Sequence, residues 1–436
     1  MNDFIPAPQQ AAAIRAIVDW YRTPHNRKQV FRLFGYAGSG KTTITQHAIR
    51  ALGLNPMNRQ GGGGGVLFAA FTGKAALVMT RKGTPASTIH SLIYRVSEAT
   101  PEEIARVEKD LFDLQRTLHR MQPAERAFAE TQIRRLQLRL ADIHKPVFLL
   151  NDQSLVRDAD LIVLDEVSMV GPEMAADLLA FSKPILVLGD PGQLPPIKGE
   201  GAFTRDAPDI MLTEIHRQAA ESAIIRLATM ARQGEPIGFG QYDTFVWKMR
   251  KMDVTPEQAL RGGQVICGMN ATRLQLNNGM RRAAGFGDGW LPSGSGEKIV
   301  CLKNQNDLGL INGMFLTLED VVDEGSLYIS AVVTDEDGNR IGDPGADGSR
   351  ARLRIYKGHF EDHVAFDRHR HDRDWKEKRH LTEATFGWAI TGHKSQGSSW
   401  ENVIVWDDGL GRTESDRRRW LYTVITRAEK GLVLLA

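Results

Sequence analysis

Residues 30–43 read VFRLFGYAGSGKTT, and this stretch decides the fold. Its apolar first half predicts a buried strand, its glycines predict a tight turn, and the periodic residues that follow predict a helix through Ala51. A glycine-rich turn between a strand and a helix, ending in GKT, lets backbone N–H groups converge on phosphate oxygens at the positive end of the helix dipole. The stretch therefore predicts an α/β fold with a nucleoside triphosphate site.

The turn supplies the groups that a triphosphate with Mg²⁺ needs. Lys41 adds a positive charge beside the β and γ phosphates, and the Thr42 hydroxyl is a ligand for Mg²⁺. We therefore expect a nucleotide and Mg²⁺ as cofactors. The expected phosphate-binding residues are Gly38, Ser39, Gly40, Lys41, Thr42 and Thr43.

Two further apolar runs place polar side chains beside this turn. Asp165 and Glu166 follow the run that ends at Leu164, and a loop containing Gln193 follows the run that ends at Leu188. Because ligands of open α/β sheets bind at the carboxyl ends of the strands, we expect Asp165 to hold Mg²⁺ and Glu166 to polarise the attacking water. Gln193 is an uncharged group able to sense a γ-phosphate, although its loop taken alone is also compatible with a simple turn.

The composition excludes several classes of protein. A chain of 436 residues, with 42% hydrophobic and 25% charged residues, is typical of a globular protein with about three domains or two large ones. No run approaches the ~18 apolar residues of a membrane span, and the first residues do not resemble a signal peptide, so we expect a cytoplasmic protein. Cys267 and Cys301 lie in apolar runs, which predicts two reduced, buried thiols and excludes zinc fingers and iron–sulfur clusters. The net charge of +2 neither requires nor excludes a nucleic acid partner.

Between residues 100 and 145 the pattern becomes helical. Apolar residues recur at spacings of three and four in two runs that Pro123 separates, which predicts an antiparallel helical hairpin with a heptad seam. The hairpin is either a solvated structural arm or a contact surface for nucleic acid or a partner protein. Its seam residues are Ile104, Val107, Leu111, Leu114, Leu118 and Met121 in the first arm, and Ile133, Leu136, Leu140 and Ile143 in the second.

A second α/β block begins near residue 264. Short alternating strands interrupt it from about Glu297 to Tyr356, which predicts a small β-barrel insertion, and the block resumes at Ala384. The segment 358–380 is rich in His and in charge, and we interpret it as a solvated loop rather than a metal site. The glycines at 61–65 predict a flexible surface loop.

The predicted division of the chain has four parts. The first α/β domain spans residues 1–90 and 146–260, with the helical hairpin inserted at 91–145. The second α/β domain spans residues 261–296 and 381–436, with the β-rich insertion and the charged loop at 297–380.

Together these residues resemble the motifs of the superfamily 1 helicases, and within them those of the RecD-like and phage Dda-like group, superfamily 1B. The resemblance runs in order from residue 10 to residue 430. It implies two RecA-like P-loop domains, an SH3-like β-barrel inserted in the second, and ATP as the nucleotide. The matching stretches are GYAGSGKTT from Gly35 (motif I), FTGKAA from Phe71 (Ia), ASTIHS from Ala86, LDEVSMV from Leu164 (II), LGDPGQLPPI from Leu188 (III), LTEIHRQ from Leu212 (IV), TGHKSQG from Thr391 (V) and YTVITRA from Tyr422 (VI).

The resemblance also implies roles for single residues. Gln10 matches the glutamine that reads adenine, and Gly397 of motif V joins the expected nucleotide site. Arg217 and Arg427 match two cations that reach the γ-phosphate across the cleft between the domains. The expected catalytic residues are therefore Lys41, Glu166, Gln193, Arg217 and Arg427.

Further matches imply a path for single-stranded DNA, in which amide and hydroxyl groups hold phosphates while aromatic rings stack on bases. Phe386 and Trp388 are either base-stacking residues or core residues. The expected DNA contacts are Thr72, Lys74, His90, Asn270, Thr391, His393 and Lys394.

Two features depart from the family pattern. Gly392 stands where a branched apolar residue usually follows the motif V threonine. The helical hairpin occupies the place at which Dda-like enzymes carry a β-rich pin. Strand separation would then use a different wedge, or the protein would translocate better than it unwinds.

The resemblance implies an ATP-dependent DNA helicase that moves 5′ to 3′ on single-stranded DNA and opens partial duplexes. We expect a monomer in the cytoplasm of a bacterial or phage-infected cell, with replication or recombination proteins as partners and no membrane partner. An RNA helicase and a translocase that displaces bound proteins are the alternatives. A small-molecule kinase would need a second substrate site and a lid in place of a second α/β domain.

Overall fold

The computed structural model describes residues 5–25, 27–57, 64–97, 99–120, 122–143, 147–196, 199–214, 222–324, 327–342, 352–360, 378 and 380–436. The helices are α1 (Pro8–Arg22), α2 (Lys41–Leu52), α3 (Gly73–Arg81), α4 (Ile89–Ile93), α5 (Pro101–Thr117), α6 (Pro123–Ile143), α7 (Pro172–Ala180), α8 (Ala223–Gln233), α9 (Pro256–Gly262), α10 (Asn270–Ala283) and α11 (Glu414–Ile425). The strands are β1 (Val30–Gly35), β2 (Val66–Ala70), β3 (Ala86–Thr88), β4 (Tyr94–Ser97), β5 (Val147–Leu150), β6 (Leu161–Asp165), β7 (Ile185–Gly189), β8 (Ile210–Leu212), β9 (Gly240–Asp243), β10 (Val246–Met249), β11 (Gln264–Cys267), β12 (Lys298–Cys301), β13 (Phe315–Glu324), β14 (Tyr328–Thr334), β15 (Arg340–Ile341), β16 (Leu353–Tyr356), β17 (Ala384–Phe386), β18 (Ala389–Thr391), β19 (Trp400–Trp406) and β20 (Ala428–Leu435).

The first α/β domain is built on a six-stranded parallel sheet in the order β3-β2-β6-β7-β1-β8. Its central strands are buried from Leu161 to Leu164 in β6 and along the whole of β7, which explains these unbroken apolar runs. Because β6, β7 and β1 are neighbours and run in one direction, the loops that follow them open at the same edge of the sheet. The predicted phosphate loop, the Asp165–Glu166 pair and the Gln193 loop therefore lie side by side.

The second α/β domain has a mostly parallel sheet in the order β18-β11-β19-β20-β10-β9, in which β9 pairs antiparallel with β10. The helix α8 packs on α11 and on β20 of this domain. The predicted boundary at residue 260 is therefore wrong, since α8, β9 and β10 belong to the second domain. Their residues Leu227 and Val246 join the same apolar core as Tyr422 and Leu434.

An antiparallel sheet interrupts the second domain. Its path is β15-β14-β13-β12-β17, and β16 pairs with β14. The pairing of Ile299 with Phe386 keeps β17 in this sheet, so the predicted return to the second domain at residue 381 is wrong. The SH3-like assignment of the insertion stays a prediction. Of the charged segment predicted at 358–380, residues 361–377 and 379 lie outside the described residues, as do glycines 61–63 of the predicted surface loop.

The predicted helical hairpin is present as α5 and α6, which pack against each other. Ile104, Val107 and Ile133 of its seam are buried, whereas Leu111, Leu114, Leu118, Leu136 and Leu140 are half-buried. The seam residue Met121 lies outside the described residues. A two-stranded antiparallel ribbon, β4 with β5, joins the hairpin to the first domain, and the sequence did not predict it.

Both cysteines are buried and free, as predicted, with Cys267 in β11 and Cys301 in β12. Burial raises the pKa of each thiol to about 12, so both are protonated at neutral pH. In the part of the chain that the structure describes, no helix has the length and apolar character needed to cross a bilayer.

Candidate nucleotide and nucleic-acid sites

The phosphate loop between β1 and α2 has the backbone that its sequence predicts. Gly38 and Gly40 have φ values of 79° and 81°, in the left-handed region that favours glycine. Lys41 Nζ donates to the Gly35 carbonyl oxygen at 2.6 Å, so the ammonium group lies over the loop. The loop thus brings a positive charge to the N-terminus of a helix, where unpaired N–H groups and the helix dipole also favour an anion. This is the donor set that a triphosphate requires.

Gln10 packs against this loop from α1. Its Nε2 donates to the Ser39 carbonyl oxygen at 3.3 Å, and its Oε1 accepts the Ala7 N–H at 3.0 Å. A Cβ atom on Gly40 would come within 2.9 Å of Gln10 Nε2, so the loop and this side chain are in close contact, while the φ value of 81° is what favours glycine there. The residue expected to read adenine therefore lies directly beside the phosphate loop.

Asp165 ends β6, and Glu166 follows it in an unusual conformation. The φ value of Glu166 is 54°, in the left-handed region, and such non-glycine residues concentrate at functional sites. In this conformation the Glu166 N–H donates to Asp165 Oδ1 at 2.8 Å. Burial and the neighbouring Glu166 carboxylate raise the pKa of Asp165 to about 6. A cation would stabilise a partly buried carboxylate of this kind, as expected for a metal ligand.

The residues expected to bind Mg²⁺ can supply part of its ligand shell, with phosphate oxygens supplying the rest. No group of three or more His, Cys, Asp and Glu side chains able to hold a metal occurs among the described residues. Thr42 lies in the first turn of α2, and Asp165 ends a strand that β7 separates from β1. Hydroxyl and carboxylate oxygens are ligands that Mg²⁺ prefers, with water and phosphate oxygens completing its shell.

Gln193 lies in the loop after β7 and is only 9% exposed. Its Oε1 atom has no hydrogen-bond partner among the described residues. The loop itself is fixed, because the Asp190 carbonyl oxygen accepts the Gln193 N–H at 3.1 Å and Asp190 Oδ1 accepts the Gly192 N–H at 2.9 Å. A buried polar atom without a partner is costly, so this geometry favours ligand sensing over a simple turn.

Of the two arginines expected at the γ-phosphate, Arg217 lies outside the described residues. Arg427 follows α11 and is buried. Its Nε donates to the Thr423 carbonyl oxygen at 3.0 Å, and its Nη1 donates to the Ser398 carbonyl oxygen at 3.1 Å. The guanidinium is thus held within the second domain, and it keeps further N–H groups with which to contact a phosphate.

Gly397 lies where the two domains touch. Its φ value is 75°, and a Cβ atom there would come within 2.5 Å of Thr72 Oγ1 and 3.0 Å of Ala75 Cβ. Glycine therefore allows motif V to approach α3 of the first domain. Its expected contact with the nucleotide stays a prediction.

Several residues expected to contact DNA lie at the ends of elements in both domains. Thr72 caps α3 through its hydroxyl, and Thr391 ends β18 and is buried. Asn270 is exposed at the first turn of α10. Lys394 is exposed after β18, and its Nζ donates to Asn312 Oδ1 of the insertion at 3.4 Å. These groups therefore lie on both domains, which meet at Gly397.

His90 is at the centre of an aromatic cluster that the sequence did not predict. Its ring centroid lies 5.8 Å from that of Phe71, 5.9 Å from that of Tyr94 and 5.8 Å from that of Phe148. Phe148 lies in β5 of the ribbon and is 50% exposed. Burial lowers the pKa of His90 and of His393, so both rings are neutral at pH 7. The apolar run around Phe148 was the one sequence signal for this cluster.

Lys74 occupies a contact between domains rather than an open surface. It is 9% exposed, and its Nζ lies 3.2 Å from Glu336 Oε2 of the insertion. The same atom lies 4.5 Å from the ring centroid of Phe315 and 5.1 Å from that of Trp400. Desolvation lowers the pKa of Lys74. A DNA phosphate would have to displace Glu336 to reach this ammonium group.

The unusual glycine of motif V has a packing reason. A Cβ atom on Gly392 would come within 2.7 Å of Trp420 Nε1 and 2.9 Å of Val424 Cγ1. The indole of α11 therefore fills the space that a branched side chain usually takes at this position.

The two aromatic residues considered for base stacking lie in apolar cores. Phe386 is buried in the core of the insertion, and Trp388 packs against the core of the second domain. The structure therefore supports the core interpretation for both.

Comparison with protein families matches two segments of the chain. The profile described as AAA domain matches residues 6–245, and that of the UvrD-like helicase C-terminal domain matches residues 386–435. The first match contains the phosphate loop, Asp165, Glu166 and Gln193, and the second contains α11 and Arg427.

Among curated proteins, the ATP-dependent RecD2 DNA helicase of Deinococcus radiodurans is 28% identical over an alignment of 298 residues that covers 62% of this chain and 35% of that protein. The chain thus spans about a third of the length of this relative.

Among solved structures, Bacteroides Pif1 bound to single-stranded DNA has a TM-score of 0.52 at 19% identity, with 100% of this chain and 93% of that chain covered. A Pif1 structure at forked duplex DNA has a TM-score of 0.50 at 18% identity, with 100% and 92% covered. This likeness establishes the fold, which consists of two RecA-like domains.

Proposed function

The chain belongs to the AAA-domain family and to superfamily 1B of the helicases, and from this membership we propose that it is an ATP-dependent DNA helicase. It moves along single-stranded DNA from 5′ to 3′ and couples ATP hydrolysis to the opening of partial duplexes. It acts as a monomer in the cytoplasm, where it meets replication or recombination proteins.

The proposal rests on one arrangement. The phosphate loop belongs to the first RecA-like domain and also contacts the second. Tyr422 Oη, on α11 of the second domain, accepts the Ala37 N–H of the loop at 2.8 Å. A nucleotide at this loop lies beside both domains, so its hydrolysis alters how they fit together. A motor needs this arrangement, whereas a small-molecule kinase does not.

The charged groups around the loop have separate tasks in the proposed reaction. Thr42 and Asp165 would hold Mg²⁺, which would offset the charge on the β and γ phosphates. Lys41 binds the same phosphates, and Glu166 takes a proton from the attacking water. Arg427, together with Arg217, delivers positive charge to the transferring phosphoryl group from across the cleft.

Contacts with the DNA backbone explain movement without sequence preference. Thr72 and His90 belong to the first domain and Thr391 to the second, so opening and closing of the cleft changes the distance between two grips on the strand. The direction, 5′ to 3′, is supported by the resemblance to the RecD-like group.

ATP hydrolysis by the purified protein with Mg²⁺ tests the proposal. We expect single-stranded DNA to stimulate hydrolysis at least several-fold and Lys41→Ala to abolish it, because the ammonium binds the transferred phosphate. Lys430→Ala removes an exposed lysine from the second domain and should keep the wild-type rate. Stimulation by RNA but not by DNA would indicate an RNA helicase, and stimulation by neither would contradict the proposal.

A translocase that displaces bound proteins is the second candidate function. The observation that favours it is the α5–α6 hairpin, which stands where related enzymes carry a β-rich pin. Displacement of a streptavidin block from biotinylated DNA, compared with displacement of a paired strand of DNA, distinguishes the two functions.

A further inference from the structure

Tyr422 is the point at which three elements of the nucleotide site meet. It lies on α11 and is 2% exposed. Its Oη accepts the Ala37 N–H at 2.8 Å and donates to Asp190 Oδ2 at 2.6 Å. Its ring lies against Gly192, where a Cβ atom would come within 2.9 Å of it. One hydroxyl group therefore joins the phosphate loop, the loop that carries Gln193, and the second domain.

The next residue of α11 makes a second link to the same loop. Thr423 Oγ1 accepts the Leu194 N–H at 2.9 Å, and Gln396 Nε2 donates to the Leu194 carbonyl oxygen at 3.0 Å. The Thr423 carbonyl oxygen accepts Nε of Arg427 at 3.0 Å. The Gln193 loop is thus bonded to the same turn of α11 that holds the guanidinium expected at the γ-phosphate.

A third contact joins the second domain to the phosphate loop nearby. The guanidinium carbon of Arg232, on α8, lies 3.7 Å from the ring centroid of Tyr36. Arg232 Cδ would also be 3.2 Å from a Cβ atom on Gly192. The contacts around Tyr422 therefore form a continuous interface rather than an isolated hydrogen bond.

We propose that Tyr422 is a positioning residue that aligns the Gln193 loop and Arg427 with the phosphate loop whenever the cleft between the two domains is closed. This role rests on the proposed ATPase function. It adds a coupling between Gln193, the expected γ-phosphate sensor, and Arg427, the cation of the second domain. The hydroxyl acts through Ala37 and Asp190, since its hydrogen bonds go to these protein groups.

Removal of the hydroxyl would leave the buried Asp190 carboxylate and the partly buried Ala37 N–H each short of a partner. Asp190 is buried, and its carboxylate accepts hydrogen bonds from Tyr422 and from the Gly192 N–H. The Ala37 N–H would lose its acceptor. An unpaired buried group loses stabilisation comparable to a hydrogen bond, and the loss is greatest for a charged group. Burial and the Asp190 carboxylate raise the pKa of Tyr422, so its hydroxyl stays a donor at neutral pH.

Tyr422→Phe keeps the ring against Gly192 and removes the hydroxyl. We expect kcat for DNA-stimulated ATP hydrolysis to fall about tenfold while the KM for ATP changes less than about threefold, because the phosphate-binding groups stay in place. Tyr242→Phe is the matched control. The Tyr242 hydroxyl donates to the Gly238 carbonyl oxygen at 2.8 Å within the second domain, so both constants should stay at wild-type values.

A double variant tests whether the hydroxyl acts through Asp190. Tyr422→Phe combined with Asp190→Asn should be no slower than the slower single variant, because the two groups act as one unit. Additive losses, or a lower thermal midpoint of Tyr422→Phe with an unchanged kcat, would overturn the proposal. If the wild-type protein shows no DNA-stimulated hydrolysis, the proposed function and this role both fail. If the wild type is active and Tyr422→Phe matches it, only the role of Tyr422 fails.

Discussion

Glu166 is the residue at which backbone conformation and expected chemistry coincide. Its φ value of 54° belongs to a region that costs a non-glycine residue about 1–3 kcal/mol. The hydrogen bond from its N–H to Asp165 Oδ1 helps to hold this conformation. Strain of this kind persists where the surrounding structure fixes it, and it lies here at the edge of the sheet that carries the phosphate loop. Substitution of Glu166 is therefore the most direct single-residue test of the proposed ATP hydrolysis.

Glu166→Gln keeps the size of the side chain and removes its ability to accept the proton of water. We predict that ATP still binds while hydrolysis falls roughly 10²-fold or more. Filter binding of labelled ATP in the presence of DNA, together with single-turnover hydrolysis, measures both quantities. Glu173→Gln, an exposed residue in the first turn of α7, is the control. Normal turnover by Glu166→Gln would remove this residue from the role of base.

Sequence analysis located those residues whose role depends on a local pattern. Lys41 follows β1 and Asp165 ends β6, each within a motif, and the parallel sheet brings them to one edge as predicted. The surroundings of Lys74 and Tyr422 were not predicted, because their partners Glu336 and Asp190 lie more than 200 residues away in the chain. No local spacing encodes a contact between domains.

Among the secondary structure elements, the α5–α6 hairpin and the β4–β5 ribbon form one insertion in the first domain. The heptad spacing predicted the hairpin because a local period determines which faces of neighbouring helices pack. The ribbon escaped prediction because its two four-residue strands are separated in sequence by the whole hairpin. The ribbon also places Phe148 beside His90, so the base of the hairpin lies next to an expected DNA contact.

Deletion of residues 101–143, with a short Gly-Ser turn in their place, tests the hairpin as a wedge. We predict that duplex unwinding falls more than DNA-stimulated ATP hydrolysis, because the nucleotide site and the β4–β5 ribbon are retained. Both activities are measured on the same partial duplex. An equal loss of both would contradict a specific role of the hairpin in strand separation.

Across the whole molecule, the β-rich insertion is docked on α3 of the first domain. Glu336 pairs with Lys74, and Asp337 pairs with Arg81 two turns along the same helix. The predicted boundary at residue 260 is wrong because α8 packs on α11 and so belongs to the second domain, although it precedes residue 260 in the sequence. Contacts between distant segments thus decide the domain arrangement, although the class of each domain follows from its local pattern.

Glu336→Gln leaves the buried Lys74 ammonium without its counter-charge. We predict a lower midpoint of thermal unfolding, by about 2–4 °C, because an unpaired buried charge destabilises the folded state. Lys74→Met in the same background should restore the midpoint, since it removes that charge. Glu319→Gln, which breaks an exposed ion pair with Arg340 inside the insertion, is the control and should change little. A wild-type midpoint for Glu336→Gln would show that the pair does not hold the insertion in place.

Strand displacement with Mg²⁺ and ATP tests the central claim most directly. The substrates are two matched partial duplexes, one with a 5′ single-stranded tail and one with a 3′ tail, and Lys41→Ala is the inactive control. We predict that the wild-type protein opens only the 5′-tailed duplex and that Lys41→Ala opens neither. Opening of the 3′-tailed duplex alone, or of neither duplex while single-stranded DNA still stimulates ATP hydrolysis, would contradict a 5′ to 3′ helicase.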